Sequence, residues 1–579
     1  MKEQKYNAYL KEIGKFIPKD RIYTDELRLL AWGTDAGFYR LIPKIVIRAK
    51  DENEVSRLLA LADKYTLPVT FRAAGTSLSG QSISDSILIV AGKNWEKYSI
   101  SEDFERITLQ PGIIGARVNE ILKPHGRKFA PDPASVKSAM VGGIVMNNAS
   151  GMNCGTHANS DKELLSAKIV LADGTRLNTG DPESRTTFEK NHTPFLNKII
   201  EIRDEIRNDN ELSDRIRKKY SIKNVTGLNL FDIIAHLMVG SEGTLAFLSE
   251  VTMKTEHDYP YSASAMLYFS NIKDACRAVV AMKPGPVFSA ELLDKKSLAS
   301  VNDTTGTDLT AVLTETKADT PEELQANIEE IKKILSPFET VTPIHFTDKP
   351  EEYSKYWAIR SGIFPSVGGT RRPGTTVLIE DVAFPLKELP EATADLQELL
   401  VTNEYHDACI YGHALEGNFH FIISQSFDSP EQVARYEKLM DEVKTLVVDK
   451  YDGSLKAEHG TGRNMAPFVK YEWGERAYGF MKAVKELFDP KGLLNPGVIF
   501  NEDPHCHLKH FKPMPLTNAH VDKCIECGFC EVNCLTCGFS LSSRQRIVIQ
   551  REISRLKKLS DTESSERLKT LQKQYKYLG

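Results

Sequence analysis

The chain has 579 residues, 41% hydrophobic and 26% charged, the balance of an ordinary globular protein with room for three or four domains. Its net charge of −5 argues against nucleic acid as a main partner. No apolar run approaches the roughly 20 residues that span a bilayer, and MKEQKYNAYLKEIGKF has no signal-peptide core. The expectation is a cytoplasmic protein, with any peripheral contact to the inner face of a membrane made through a partner.

The first forty residues read as helical and mixed. PKIVIRAK (43–50) reads as a strand, and Asp51 is placed to cap a helix over EVSRLLALADKY. PVTFRA (68–73), ILIVAG (87–92) and ITLQPG (107–112) are further strands, and IGARVNEIL (114–122) a helix. KIVLADGTRLN (168–178) reads as a hairpin turning at Asp173-Gly174. Beyond 257 the mixture changes. Helices are expected near 321–335, 387–401 and 430–450, strands at 376–382 and 408–423, and a helix that stops at Pro490. Residues 501–520, rich in Pro and His, read as a linker. In the tail, Ile549, Ile553, Leu556 and Leu559 fall on one helical face, and Leu568, Leu571, Tyr575 and Leu578 on another.

Four regions carry chemistry, the first made of three glycine-containing segments. RAAGTSLSGQ (72–81) follows a strand and combines two glycines with three hydroxyls, so its backbone N–H groups can approach a phosphate. It is neither GxGxxG nor GxxxxGK[ST], and alone it reads equally as a surface turn. PDPASVKSAMVGGIVMNNASGMNCGT (131–156) is too polar and glycine-rich for a buried strand and too apolar for a free loop; lying against a flat cofactor explains it. GSEGTLAFLSEVTMKT (240–255) is a glycine turn leading into a strand.

The second stretch is CIYGHALEGNFHFII (409–423). A two-residue turn at Glu416-Gly417 sets His413 opposite His420, about 5 Å apart, close enough for both to share a metal ion. Two ordinary half-buried histidines are the alternative. The third is SLKAEHGTGR (454–463), where Glu458 can complete a metal site while its neighbour His459 faces a reacting carbon as a general base.

The fourth stretch holds five of the nine cysteines, within 524–537; Cys154, Cys276, Cys409 and Cys506 are scattered. In a reducing compartment such crowding means metal rather than disulfides. CIECGFCEVNC has the CxxCxxCxxxC spacing of bacterial ferredoxins. Zinc on the pairs Cys524-Cys527 and Cys534-Cys537 is the rival, but six intervening residues are few beside the usual spacing. Leu535 stands where proline usually follows, and no second cysteine run is present, so Cys534, Cys537 or Cys506 remain open as the fourth ligand.

Taken in order, the glycine-rich stretches resemble the FAD-binding domain of the vanillyl-alcohol oxidase/p-cresol methylhydroxylase family over roughly residues 40–255. The resemblance implies an α+β fold: a helical segment (1–40), an FAD-binding domain (41–256), an α+β substrate or cap domain with an antiparallel sheet (257–500), the linker, and a small helical ferredoxin-like segment (521–579). It assigns the pyrophosphate loop to Arg72, Ala73, Ala74, Gly75, Thr76, Ser77, Gly80 and Gln81, with Ala73 and Ala74 where glycines are common. Pro131, Asp132, Ser138, Gly142, Gly143, Asn147, Asn148, Gly151 and Gly155 fall in the isoalloxazine and diphosphate segment, and Glu242 and Gly243 in the third contact. Parts of the family bind flavin covalently, which draws attention to Cys154 and His157; ordinary neighbours of the cofactor are the other reading.

The 409–423 and 454–463 stretches resemble the FAD-dependent D-lactate and D-2-hydroxyglutarate dehydrogenases and the glycolate oxidase subunit, whose patterns are GHxGDGNxH and Glu-His-Gly. Leu415 and Glu416 depart from the first pattern. By position, His413, His420 and Glu458 resemble ligands of a divalent metal (zinc, manganese or iron), His459 the catalytic base, and Arg360 the substrate-carboxylate cation. Arg371 and Arg372 are further cations there, or surface salt-bridge partners. TVLIEDVAFP (376–385) lacks the lysine of the hydroxyglutarate enzymes, which points to a one-carboxylate acid such as D-lactate, then glycolate. The implied function is oxidation of a 2-hydroxy acid with hydride passing to flavin N5. Electrons then leave through a 4Fe-4S cluster on Cys524, Cys527, Cys530 and Cys534 to an acceptor protein or iron–sulfur subunit, not NAD. The rivals are a non-redox alkylglycerone-phosphate-synthase-like transferase on the same fold, and an FAD-binding electron-transfer subunit without its own turnover.

Overall fold

The structure is a computed structural model that describes residues 2–152, 155–231, 236–301 and 309–578. Two sheets form the N-terminal half. In the first, Ile45–Arg48, Ile87–Val90 and Val69–Arg72 are parallel, with Ile22–Tyr23 antiparallel at the edge. The helix Glu52–Tyr65 crosses over between the first two parallel strands in sequence; Asp51 caps it by accepting from the Glu54 N–H, as expected. The second sheet is antiparallel: Tyr98–Ile100, Arg106–Leu109, Phe247–Lys254, Leu164–Val170 and Arg176–Asn178. Its last pair is the hairpin expected at Asp173-Gly174. Phe247 and Val170 reach from it into the core beneath the parallel sheet.

The second half is built on a six-stranded antiparallel sheet. Its order is Tyr261–Phe269, Thr310–Ala318, Ser289–Leu293, Cys409–His413, Asn418–Gln425 and Thr376–Ala383. Side chains alternate between its faces. Leu292, Ile410, Phe421 and Leu378 pack under helices Ile272–Met282, Leu389–Thr402 and Pro430–Lys444. Leu293, Tyr411, Ile422 and Ile379 pack on the opposite face with Ile363 of helix Pro350–Thr370. Every strand therefore offers alternate positions to that second face, and the functional side chains use them.

The 409–423 stretch corrects one expectation. Its connection is longer than a two-residue turn: Ala414–Glu416 form a 3-10 turn, and Gly417 takes φ +67°. A Cβ on Gly417 would lie 2.2 Å from the Phe384 carbonyl oxygen, so the return path is open only to glycine. The longer loop shifts the register. His420 faces Tyr411 across the ladder, and His413 faces Glu291 on the other neighbouring strand.

Helix Val469–Phe488 ends two residues before Pro490. Residues 501–520 hold no long element, yet they are packed: Phe511 stacks on Phe427 at 3.6 Å, and the Lys512 side chain is buried. The cysteine stretch has only a short 3-10 turn, Glu531–Asn533, followed by helices Ser543–Leu556 and Thr562–Leu578. These close over Leu27, Leu30 and Ala31. Ile549, Ile553 and Leu556 are buried as expected; Leu559 lies past the helix end and is exposed.

Candidate active site

Glu458 is the focus of the site. One oxygen, Oε2, accepts from Ser150 Oγ (2.8 Å), the Gly151 N–H (2.9 Å) and Lys223 Nζ (3.0 Å). The other, Oε1, faces three imidazoles: His413 Nε2 at 3.1 Å, His420 Nε2 at 3.4 Å and His459 Nε2 at 3.8 Å. Burial would raise the Glu458 pKa, but Lys223 and the histidines hold it well below the usual carboxylate range.

Both proposed histidine ligands are aimed by a carboxylate on an adjoining strand. His413 Nδ1 is 2.6 Å from Glu291 Oε1, its cross-strand partner. His420 Nδ1 is 3.3 Å from Asp381 Oδ1, its partner on the other side. A proton held at His413 Nδ1 leaves its Nε2 as the free lone pair, the arrangement that metal-binding imidazoles need, while His420 Nδ1 lies beside Asp381 without a formed hydrogen bond. The two rings are 5.2 Å apart and perpendicular. The expected proximity survives the corrected register because His413 and Tyr411 share one face of their strand, so His413 is a diagonal neighbour of His420.

Asp381 does more than orient His420. Its Oδ2 accepts the N–H groups of Ala457 (3.0 Å), Glu458 (2.6 Å) and His459 (2.9 Å). Asn418 donates to Oδ1 at 2.8 Å. The following turn is clamped from the N-terminal half: Gln81 donates to the His459 carbonyl (2.9 Å), and Glu242 accepts from Thr461 (2.6 Å) and Gly462 (2.8 Å). Ligand-capable atoms of Asp381, His420, Glu458 and His459 lie within 4.8 Å of one another. Because Asp381 already accepts three N–H groups and an amide, its chemistry is that of a holder, whereas His413, His420 and Glu458 Oε1 present open donor atoms. That donor set suits a zinc-like or other divalent ion.

His459 stacks on His420, with ring centroids 4.8 Å apart. Desolvation pushes its pKa down to about 4, so the ring is neutral near pH 7. Arg360, on helix Pro350–Thr370, is buried, lies over the Tyr411 ring and donates from Nε to Glu291 at 2.7 Å. The chain Arg360–Glu291–His413–Glu458 ties Arg360 to the imidazole–carboxylate cluster. Burial would raise the Glu291 pKa, but His413 and Arg360 lower it to about 2.

Arg360, Tyr411, His413, His420, Glu458 and His459 line one part of a 740 Å³ cavity; Glu291 and Asp381 do not reach it. Arg72–Leu78, Gln81, Asp132, Gly142, Gly143, Asn147, Glu242 and Gly243 line its other reaches. Of the remaining residues assigned to the cofactor, Gly80, Pro131, Ser138, Asn148, Gly151 and Gly155 are not among the lining residues. Gly151, at φ +131°, bridges to Asp132; Gly80 faces the Tyr39 ring. Arg72 turns its guanidinium into the protein, donating to the carbonyls of Thr34 and Ser82. Burial and nearby Arg544 lower its pKa to about 10. Among the described residues the N–H groups of Gly75 and Thr76 have no protein acceptor, which fits a loop that meets a phosphate. Cys154 lies outside the described residues.

Cys527 and Phe529 line the same cavity. Cys524, Cys527, Cys530, Cys534 and Cys537 are all free thiols. The Cys534 thiol is 3.2 Å from Thr536 Oγ1. Arg371 is neither a substrate cation nor a surface residue: it is buried and donates to the carbonyls of Asp522 (2.9 Å), Lys523 (3.0 Å) and Cys524 (3.1 Å). Arg372 is exposed. Sequence reasoning missed Glu291 and Asp381. Asp381 sits in the strand inspected for a lysine; only its period-two placement opposite His420 marks it.

Comparison with known proteins finds relatives for both halves of the chain. Residues 43–180 match the FAD binding domain and residues 260–499 the FAD linked oxidases, C-terminal domain. The chain thus carries the FAD binding domain and the C-terminal domain of FAD linked oxidases, on a p-cresol methylhydroxylase-type fold. It is 26% identical to the glycolate oxidase subunit of Escherichia coli (strain K12), over 82% of this chain and 87% of that one. It is 25% identical to a mitochondrial D-lactate dehydrogenase [cytochrome] of Saccharomyces cerevisiae, over 80% and 73%. In fold it is similar to substrate-bound p-cresol methylhydroxylase (TM-score 0.63, 12% identity, 86% of this chain and 97% of that). It is also similar to an alkyldihydroxyacetonephosphate synthase (0.58, 15%, 85% and 84%).

Proposed function

We propose that this chain is an FAD-dependent 2-hydroxy-acid dehydrogenase, with D-lactate as first substrate and glycolate next, and that electrons leave through an iron–sulfur centre to a protein acceptor other than NAD. The observation that carries this reading is the shared cavity. Arg360, the His413/His420/Glu458 donor set and His459 line one end, and the glycine-rich loops line the rest.

Each residue has a task. Arg360 uses Nε on Glu291, which leaves its two terminal amino groups for a substrate carboxylate. His459, neutral and held by three clamps on its own turn, takes the α-hydroxyl proton at a ring nitrogen. Glu291 and Asp381 fix the two ligand imidazoles. Trp357, Phe364 and Tyr411 wall the substrate end with rings and exclude water. A divalent ion on His413, His420 and Glu458 would supply polarisation of that hydroxyl. FAD, when bound, supplies the two-electron acceptor.

The fold is shared with a synthase, so it does not by itself argue for redox chemistry. The cysteines favour it: Cys527 lines the flavin cavity, and a transferase needs no electron exit. Steady-state assays with a dye acceptor across D-lactate, L-lactate, glycolate and D-2-hydroxyglutarate, with metal, iron and acid-labile sulfide measured on the same protein, test the reading. Turnover of D-lactate with a chelator-sensitive rate is expected. Turnover of none of these acids would contradict it.

A further inference from the structure

Besides Arg371, two buried charged groups fasten the cysteine loop, and one of them reaches the 72–81 loop. At the first, Glu526 is wholly buried in the left-handed region (φ +60°). It accepts from Thr34 (2.7 Å), Arg40 (3.1 Å) and Arg551 (2.5 Å), with Lys512 at 3.3 Å. At the second, Arg544 of helix Ser543–Leu556 is buried although it carries a full charge. Its Nη1 donates to the Gly75 carbonyl at 2.6 Å, and its Nη2 to the Ala74 carbonyl at 2.9 Å and Glu531 Oε2 at 2.5 Å. Gly528, at φ +84°, makes way for it: a Cβ there would lie 2.6 Å from Arg544 Nη1.

The peptide geometry gives this bond a consequence. In a trans peptide the C=O and the following N–H point in opposite directions. Arg544 pulls the carbonyls of Ala74 and Gly75 outward, so the N–H groups of Gly75 and Thr76 turn the other way. Neither of these two donors has a protein acceptor among the described residues, and both lie in the stretch that lines the cavity, as do the equally unpaired N–H groups of Ala73, Ala74, Ser77 and Leu78. One guanidinium therefore sets two adjacent donors of the 72–81 loop and touches the loop that carries Cys527.

We propose that Arg544 is a positioning residue that couples FAD binding to the ordering of the Cys524–Cys537 loop. The inference rests on reading residues 72–81 as the FAD phosphate loop; it does not require a cluster. Coupling between two sites is reciprocal. FAD must therefore tighten the cysteine loop, and loosening that loop must weaken FAD.

The test uses holoprotein and its flavin-depleted form, in wild type, Arg544→Gln, Arg544→Lys and Gly528→Ala. FAD affinity and amide hydrogen exchange over 524–538 are measured, with exchange in strands Ile45–Arg48 and Thr376–Ala383 as the folding control. Removing FAD from wild type should speed exchange over 524–538. Arg544→Gln and Gly528→Ala should each weaken FAD about tenfold, within the roughly 5–150-fold range of site couplings, and abolish the FAD dependence of loop exchange. Arg544→Lys should restore part of both, since it keeps the charge but not the fork. Unchanged FAD affinity in Gly528→Ala, or wild-type loop exchange indifferent to FAD, overturns the proposal. Iron and sulfide content of the same samples reports separately on the electron-exit reading.

Discussion

The substrate end and the cysteine loop meet at one cavity but are built by opposite means. At the substrate end, strand register does the placing: Glu291 opposes His413, and Asp381 opposes His420, so each imidazole is aimed by a carboxylate on its neighbour. The cysteine loop has no strand to set it. Its path is fixed by arginines that bind backbone carbonyls: Arg371 on 522–524, Arg551 on Val521 and Cys524, Arg544 on Glu526. Register positions side chains for directional chemistry; a ring of guanidinium groups positions backbone without committing the thiols. Loss of one carboxylate should therefore damage chemistry sharply, whereas loss of Arg371 or Arg551 should loosen the cysteine loop and leave substrate binding alone.

The largest expected effect falls on His459. His459→Ala should slow substrate reduction of the flavin by about 10²–10⁴-fold in rapid-mixing experiments while FAD stays bound. Next, Asp381→Asn keeps the shape but weakens the hold on His420 and on the Ala457–His459 N–H groups. Metal affinity, read by competition with a chelator, should fall by about 10–100-fold. The two arginines give the direct contrast. Arg360→Lys loses two-point recognition and should raise KM about tenfold, roughly 1.4 kcal/mol. Arg371→Lys should leave KM unchanged and increase proteolysis near 522–524. The smallest effect is expected on the loop surface. Leu535 is 94% exposed, so Leu535→Ser should change unfolding free energy by no more than about 0.5 kcal/mol in denaturant titrations.

The same contrast explains what could be read from the sequence. Helix Pro321–Leu335 and strand Thr376–Ala383 were legible from periodicity, and Asp51 from cap chemistry. His413, His420, Glu458, His459 and Arg360 were legible as a set by motif, and the structure brings all five to one cavity end. The register was not, because Gly417 closes a longer loop around Phe384, a tertiary contact that no local pattern encodes. Glu291 and Asp381 were hidden for a related reason: a carboxylate in a strand means nothing until its cross-strand neighbour is known. Arg371 was misread because a guanidinium that binds carbonyls 151 and 153 residues away looks like any surface cation. Residues 501–520 looked like a linker because Pro and His break elements, yet Phe511 and Lys512 are anchored within the body.

The most direct test of the central claim is anaerobic addition of D-lactate to the purified flavoprotein while its visible flavin absorbance is followed. The account predicts that the flavin band bleaches in wild type and persists in His459→Ala with FAD still bound. A wild-type flavin untouched by D-lactate and by glycolate, or a variant that bleaches at the wild-type rate, would contradict it.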